Sequence, residues 1–349
     1  MATLNSATIG LIVEPLPYRT LKTLSRAIQG SSSWNLWSDH VNEELQNRFE
    51  IRMLLSVHND KLMISCTRSF LRKPAAPLSP WKFNFKELRF ARLSRLLINA
   101  KYAEAALNKE LSNAAEEFPL EQAQRILDIP PVYAEEMGKS TYFKLCNVTT
   151  PEAEAFYGQI LKKVKRNFQY AELSKCCGAP KLLSRFIKFC AKNSSLREVR
   201  LNNCSFNKRN FMKICSLFLK KSTVDHIFVL NNRNHQNSYL VTSAALLDGF
   251  IANWKFIPSI KFRDTTLMMS MFWTEWERLL AEQVLRNTER NSTDVKIFNG
   301  DDPKMARIEV PHSSGRGTLI IIYHSFMKAI SLQMKVPAGK RSKRAHATQ

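Results

Sequence analysis

Seven cysteines and seven histidines are the side chains of this sequence best suited to metal binding, nucleophilic attack or proton transfer. The cysteines are Cys66, Cys146, Cys176, Cys177, Cys190, Cys204 and Cys215; the histidines are His40, His58, His226, His235, His312, His324 and His346. None follows C-x-x-C or H-E-x-x-H spacing, and the vicinal pair Cys176-Cys177 is too close for a zinc knuckle. No nucleophile elbow, P-loop or dinucleotide fingerprint occurs. Ser314-Gly315-Arg316-Gly317 lacks the following helix that a phosphate loop needs and reads as a hairpin turn. Asn299-Gly-Asp301-Asp302 lacks the closing Glu of a calcium loop and reads as a turn as well. Glu116-Glu117 and Glu135-Glu136 read as helix-surface charges. The expectation is a non-enzymatic chain with no metal and no cofactor.

The second kind of chemistry available is charge. The formal net charge is +22, and the terminal cluster Lys340, Arg341, Lys343 and Arg344 carries only a small part of it. The excess therefore lies over the folded body, where it either attracts polyanions or acidic partners or serves as a solvated surface. Lys162, Lys163, Lys165 and Arg166 follow one helical segment, and Lys208, Arg209, Lys213, Lys220 and Lys221 lie on another. Such a ridge could hold RNA, DNA or an acidic protein, with the steep salt dependence of polyanion binding. The terminal cluster resembles a short nuclear import signal.

The elements that position these residues recur with a fixed period. Leu196-Arg-Glu-Val199-Arg-Leu201-Asn-Asn-Cys204 follows the pattern L-x-x-L-x-L-x-x-N/C. Phe168 to Cys176, Phe143 to Val148 and Val224 to Asn232 stand in the same register, so Leu145, Leu173, Leu201 and Val229 are evenly spaced by 28 residues. Alternate apolar residues of such strands enter one core. Between them, Pro180 to Lys192 and Asn207 to Lys221 carry apolar residues at helical spacing, Asn207 being the expected N-cap. Another helix starts at Pro151. Beyond Asn232 the period loosens: Phe256 to Phe262 and Val295 to Ile297 are expected as further strands, and Trp273 to Asn287 as a helix. Ala306 to Val310 and Thr318 to Tyr323 are expected as a closing hairpin.

The N-terminal part has no repeat. Helices are expected over Thr20 to Gln29 and Ser33 to Arg48, the second with Trp34, Trp37, Val41 and Leu45 on a buried stripe. A hairpin over Phe49 to Cys66, a proline-bearing linker over Arg72 to Trp81, a strand over Leu88 to Ile98 and an alanine-rich helix over Lys101 to Glu117 follow. This order, opening on Ile12-Val-Glu-Pro15-Leu-Pro17 and followed by repeats from Phe143 onward, resembles the nematode-expanded F-box-associated and leucine-rich-repeat-like proteins. F-box members of that group are similar to substrate-recognition subunits of cullin-based ubiquitin ligases. The resemblance implies that Pro17, Leu21, Leu24 and Ile28 face a ligase adaptor. The copy is degenerate: Gly30-Ser-Ser-Ser33 interrupts it, and the basic-tryptophan finish is absent.

The fold class expected is α/β: a leucine-rich-repeat-like solenoid, a curved parallel sheet with outer helices, preceded by a small α+β module. Its divisions are residues 1–71 for the helical and hairpin module, 72–81 for the linker, 82–332 for the solenoid with its capping hairpin, and 333–349 for a basic disordered tail. The expected function is a protein-interaction scaffold. Lys144, Glu172, Glu198, Arg200, Asn202, Phe228 and Leu230, which alternate with the buried anchors, would contact the partner. A ubiquitin-ligase substrate receptor and a nucleic-acid binder are the alternatives. No apolar run suits a membrane span, no leader resembles a signal peptide, and the thiols are read as reduced. An intracellular protein, cytoplasmic or nuclear, is expected, without a membrane partner.

Overall fold

Two periodicities account for most of the secondary structure, apolar residues at every second position in strands and at every third or fourth in helices. The computed structural model describes residues 5–29, 34–58, 61–71, 79–82, 84–100, 116–119, 122–127, 129, 141–164, 167–177, 179–204, 207–230, 244–254, 256–257, 260–289, 295–298 and 307–336. It is a mixed α/β structure that divides into two compact units, Met1–Asn147 with Gln159–Tyr170 and Val148–Gly158 with Ala171–Gln349.

The first unit begins with helices α1 (Ser6–Val13), α2 (Tyr18–Ile28) and α3 (Asn35–Asn47). Asn5 caps α1 by accepting the Thr8 N–H at 2.8 Å. Ile9, Val13, Leu21, Ile28 and Val41 form one core, and Leu16, Leu24, Trp37 and Leu45 pack against it. Trp34 is 45% exposed and stays off the stripe. Strands β1 (Phe49–His58) and β2 (Lys61–Phe70) pair antiparallel, as the hairpin pattern predicts. Next come β3 (Ser79–Pro80), β4 (Ala91–Asn99), β5 (Glu116–Pro119), the short helix α4 (Ala123–Leu127) and β6 (Tyr142–Cys146). β4 lies parallel to β1, and β6 parallel to β4 with Ile98 beside Leu145.

Two arginines sit inside this unit, Arg48 at 0% and Arg92 at 2% exposure. Arg48 donates to Glu44 and to the backbone carbonyls of Val13, Glu14 and Leu16. Arg92 donates to the carbonyls of Glu14, Arg89 and Ala91, and its Nη2 is 3.6 Å from Glu44 Oε2. The Val13 and Glu14 carbonyls, at the end of α1 where the helix supplies no i+4 donor, thereby gain charged partners.

In the second unit the strand order is β7 (Tyr170–Cys176), β8 (Glu198–Cys204), β9 (His226–Leu230) and β10 (Thr265–Ser270). It continues through β14 (Ala329–Lys335), β13 (Thr318–His324) and β12 (Arg307–Pro311) to β11 (Lys296–Phe298). β8, β9 and β10 run parallel, with Val199 beside Ile227 and Leu201 beside Val229. β10 to β14 and the pairs beyond are antiparallel. Helix α5 (Pro151–Lys163) is shared between the units as they are divided. Helices α6 (Pro180–Lys192), α7 (Lys208–Lys220), α8 (Ala244–Trp254) and α9 (Trp273–Glu289) follow among the described residues. Leu182, Leu183, Phe186, Phe211, Ile214 and Phe218 are all 0–1% exposed, each burial contributing about 1.5–3 kcal/mol. Asn207 caps α7 by accepting the Asn210 N–H at 2.9 Å. Glu154 accepts the N–H of Leu182 at 2.6 Å, and Glu275 that of Ala244 at 2.7 Å, so α6 and α8 have their first turns capped by a neighbouring helix.

Several expectations are corrected. Within the stretch expected as a strand over Phe256 to Phe262, the described residues 256–257 and 260–262 belong to no strand, and 258–259 lie outside the described residues. The Lys261 N–H donates to the Leu219 carbonyl, and Arg263 to those of Phe218 and Val224, so this stretch closes the end of α7. The ladder position beside β9 goes instead to Thr265–Ser270. Lys296–Phe298 pairs antiparallel with β12 at the sheet edge and adds no repeat strand. Glu116 and Glu117 belong to β5, antiparallel to β2, and not to a helix; residues 101–115 of that expected helix, and Glu135-Glu136, lie outside the described residues. In the stretch 72–81, Ser79–Pro80 pairs with β2 and Trp81 packs on Phe49 at 5.1 Å. β14 extends through Lys335, into the stretch expected as tail. The turn Ser314 to Gly317 does join β12 to β13, with Gly315 at φ +65°.

Candidate functional site

Two surfaces of the second unit collect polar chemistry. On the sheet, the registers set Glu198 beside His226 and His226 beside Thr266, and in the next row Arg200 beside Phe228 and Phe228 beside Met268. Asn202 lies beside Leu230. Arg200 pairs with Glu198, and its guanidinium lies 5.6 Å from the Phe228 ring centre, a cation–π arrangement worth about 0.5–1 kcal/mol at an exposed site. Arg200 and Asn202 are exposed, while Glu172, Glu198, Phe228 and Leu230 are half-buried. The face is thus a patchwork of charge and apolar surface held by a rigid ladder.

One pair on this sheet has the reach of a base and a hydroxyl, His324 Nε2 to Ser331 Oγ at 2.8 Å. Ser331 is only 1% exposed, so its oxygen cannot meet a substrate. Among the described residues no group of histidine, cysteine or carboxylate side chains is arranged to hold a metal ion. Burial pushes the thiols of Cys66, Cys190, Cys204 and Cys215 up, which keeps them protonated and unreactive.

The second surface is a groove of about 570 Å³ between α6 and α7. Arg185 and Lys188 stand on one wall; Arg209, Lys213 and Lys220 stand on the other, with Lys221 just beyond its end. Ile187, Ala191 and Leu217 supply apolar lining, and Ser184 and Ser216 supply hydroxyls. The Lys213 ammonium donates to Ser184 Oγ, and Lys221 Nζ donates to the Ala191 carbonyl at 3.1 Å, near the negative end of the α6 dipole. Among the described residues no carboxylate lines the groove. Among the described residues none of the six cations joins an ion pair. Partial desolvation, and then the charges of Arg209 and Lys188, hold the Lys213 pKa below the usual lysine value. Desolvation, followed by Lys261, does the same for Lys221.

Arg209, Lys213, Lys220 and Lys221 are ridge residues that helical spacing had already grouped. Arg185 and Lys188 were not grouped with them, although they fall on the side of Pro180 to Lys192 left over by its apolar stripe. That leftover side was the available signal. Lys162 and Lys163 are exposed at the end of α5, while Lys165 and Arg166 lie outside the described residues. Lys144, on β6, is half-buried in the first unit. Of the residues implied to face an adaptor, Leu21 and Ile28 are buried in the helical core and Pro17 and Leu24 are half-buried. The apolar side chains those helices expose include Leu11, Ile12 and Leu36. Lys340, Arg341, Lys343 and Arg344 lie outside the described residues. No helix among the described residues is long and apolar enough to cross a membrane. No family model matches this sequence, and neither a curated protein nor a solved structure does so.

Proposed function

We propose that the chain is a non-enzymatic interaction scaffold of leucine-rich-repeat-like build, which recognises a protein partner through the strand face of its second unit. One observation carries this reading: the parallel ladder of β8 and β9, whose 28-residue offset pairs Val199 with Ile227 and Leu201 with Val229. The offset that buries these anchors also aligns Arg200 with Phe228 and Asn202 with Leu230 on the opposite face. A repeating backbone feature supports it. Asn147, Lys175 and Asn203 all adopt positive φ, at 63°, 53° and 54°, each two residues after an anchor leucine. Left-handed backbone is rare outside glycine, so its recurrence at the repeat spacing marks the same turn built three times. A mixed charged, aromatic and aliphatic strand face suits protein recognition, with Arg and Phe as anchoring side chains.

Affinity capture from native cells tests the reading by comparing wild type with the double variant Arg200→Glu/Phe228→Asp and with Lys188→Glu. Proteins recovered with wild type and Lys188→Glu but lost with the double variant support it, provided the double variant keeps its circular dichroism. Identical recovery by all three chains removes the strand face from consideration.

A further inference from the structure

We infer that the groove between α6 and α7 is a binding site for a compact polyphosphate, a small ligand carrying several phosphate groups close together. This does not rest on the strand-face reading. Six cations surround one space of about 570 Å³ with no carboxylate among the lining residues. Surface charges of one sign are ordinarily interspersed with the other, because like charges at neighbouring helical positions destabilise. Here the charges of Arg209 and Lys188 bear on Lys213 and, after desolvation, contribute to making its amine harder to protonate. A bound polyanion relieves that repulsion, so ligand binding and stability are linked.

The lining narrows the class of anion. Arg185 and Arg209 offer planar forks suited to two oxygens of one phosphate, and the lysines add mobile point charges. Ser184 and Ser216 offer hydroxyl donors. Arg209 and Lys213 stand one turn apart, about 6 Å along the axis, and Lys220 about 10 Å further. Cations therefore face the space from both walls and along its length. Among the described residues no aromatic side chain lines the groove, so they offer no stacking platform of the kind single-stranded nucleic-acid binders use. A limited space with charge on both walls favours a compact ligand over a polymer strand.

Such a ligand could be free or the headgroup of a phosphorylated lipid, and both arms enter the test. The full chain at physiological salt is titrated with sodium tripolyphosphate by calorimetry and thermal shift, and with vesicles of phosphatidylcholine with or without a phosphatidylinositol bisphosphate. The expected result is saturable one-to-one tripolyphosphate binding that raises the melting temperature. It should weaken about tenfold or more in Lys188→Glu and in Lys213→Glu, and stay unchanged in Lys296→Glu, an equal charge reversal on β11 outside the groove. Both groove variants should melt no lower than wild type without ligand, which separates lost binding from lost folding. Vesicle binding that the same variants abolish assigns the lipid source; its absence assigns the free one. Equal weakening by Lys296→Glu would attribute binding to the diffuse field of the chain and overturn the site. So would oligouridylate binding by a chain that ignores tripolyphosphate.

Discussion

Arg48 and Glu44, one turn apart around the end of α3, form an ion pair at 2.5 Å with the arginine side chain fully buried. The same guanidinium reaches three carbonyls near the end of α1, and Glu44 also stands 3.6 Å from Arg92. Burying two charges costs several kcal/mol, which attraction and added hydrogen bonds must offset. Removing one partner leaves that cost uncompensated. Arg48→Met should therefore lower the stability of the first unit by about 3–5 kcal/mol, measured as the shift in urea midpoint followed by tryptophan fluorescence. Arg48→Lys should rescue little, since an ammonium cannot span the same acceptors. A midpoint within error of wild type for Arg48→Met would show that the pair is dispensable.

The opposite sign is expected on the neighbouring hairpin. Ser56, Ser65, Thr67 and Ser69 are buried, and their hydroxyls have no hydrogen-bond partner among the described residues. Replacing an unsatisfied buried hydroxyl by a methyl group removes a desolvation penalty. Thr67→Val preserves shape and β propensity and should be neutral or stabilising by about 1 kcal/mol. A loss of stability beyond that size in chemical denaturation would reveal a contact that the hydroxyl makes.

Alkaline pH should act on the α6–α7 groove in a defined direction. The folded-state pKa of Lys213 lies below its reference of 10.5. At pH values below both, the group is charged folded and unfolded, and the folded chain carries the repulsion in full. As pH rises through the folded value towards 10.5, the folded state gives up its proton first, so the unfolded state holds more protons and stability increases with pH. The contribution is thus unfavourable at neutral pH and fades in the alkaline window. Lys213→Met should be the more stable chain at pH 7.5, its advantage shrinking by pH 10. An advantage that grows with pH would reverse the assignment.

Thiol alkylation should separate one cysteine from the rest. Cys177 is half-buried, whereas Cys66, Cys146, Cys176, Cys190, Cys204 and Cys215 are buried. Since the thiolate is the reactive form, burial that raises a thiol pKa and blocks access protects it twice. Brief iodoacetamide treatment of native protein at pH 8 should label Cys177 first, with the other six reacting at the rate of opening or unfolding. Peptide mass spectrometry reads the order, and early labelling of Cys190 or Cys215 would place those side chains outside the core.

What local pattern alone determined is what local pattern encodes. Helix Pro180–Lys192, helix Lys208–Lys220 with its Asn207 cap, the parallel neighbours β8 and β9, and the hairpins β1–β2 and β12–β13 were all legible, because each depends on periodicity, a cap or a turn within a few residues. The partners that elements choose across the chain were not legible. Phe256 to Phe262 was the stretch expected beside β9, yet Thr265–Ser270 takes that ladder position, while backbone carbonyls at the end of α7 and of Val224 claim Lys261 and Arg263. Glu116 and Glu117 read as helical until β2 offered an edge to pair with. Arg48 and Arg92 look like surface cations until three elements close over them and aim five backbone carbonyls at their guanidinium groups. The groove follows the same rule. Spacing could place Lys213 on one helix face and Lys188 on another, but only packing brought the two faces together, because a helix records its own stripe and carries no information about which neighbour will face it.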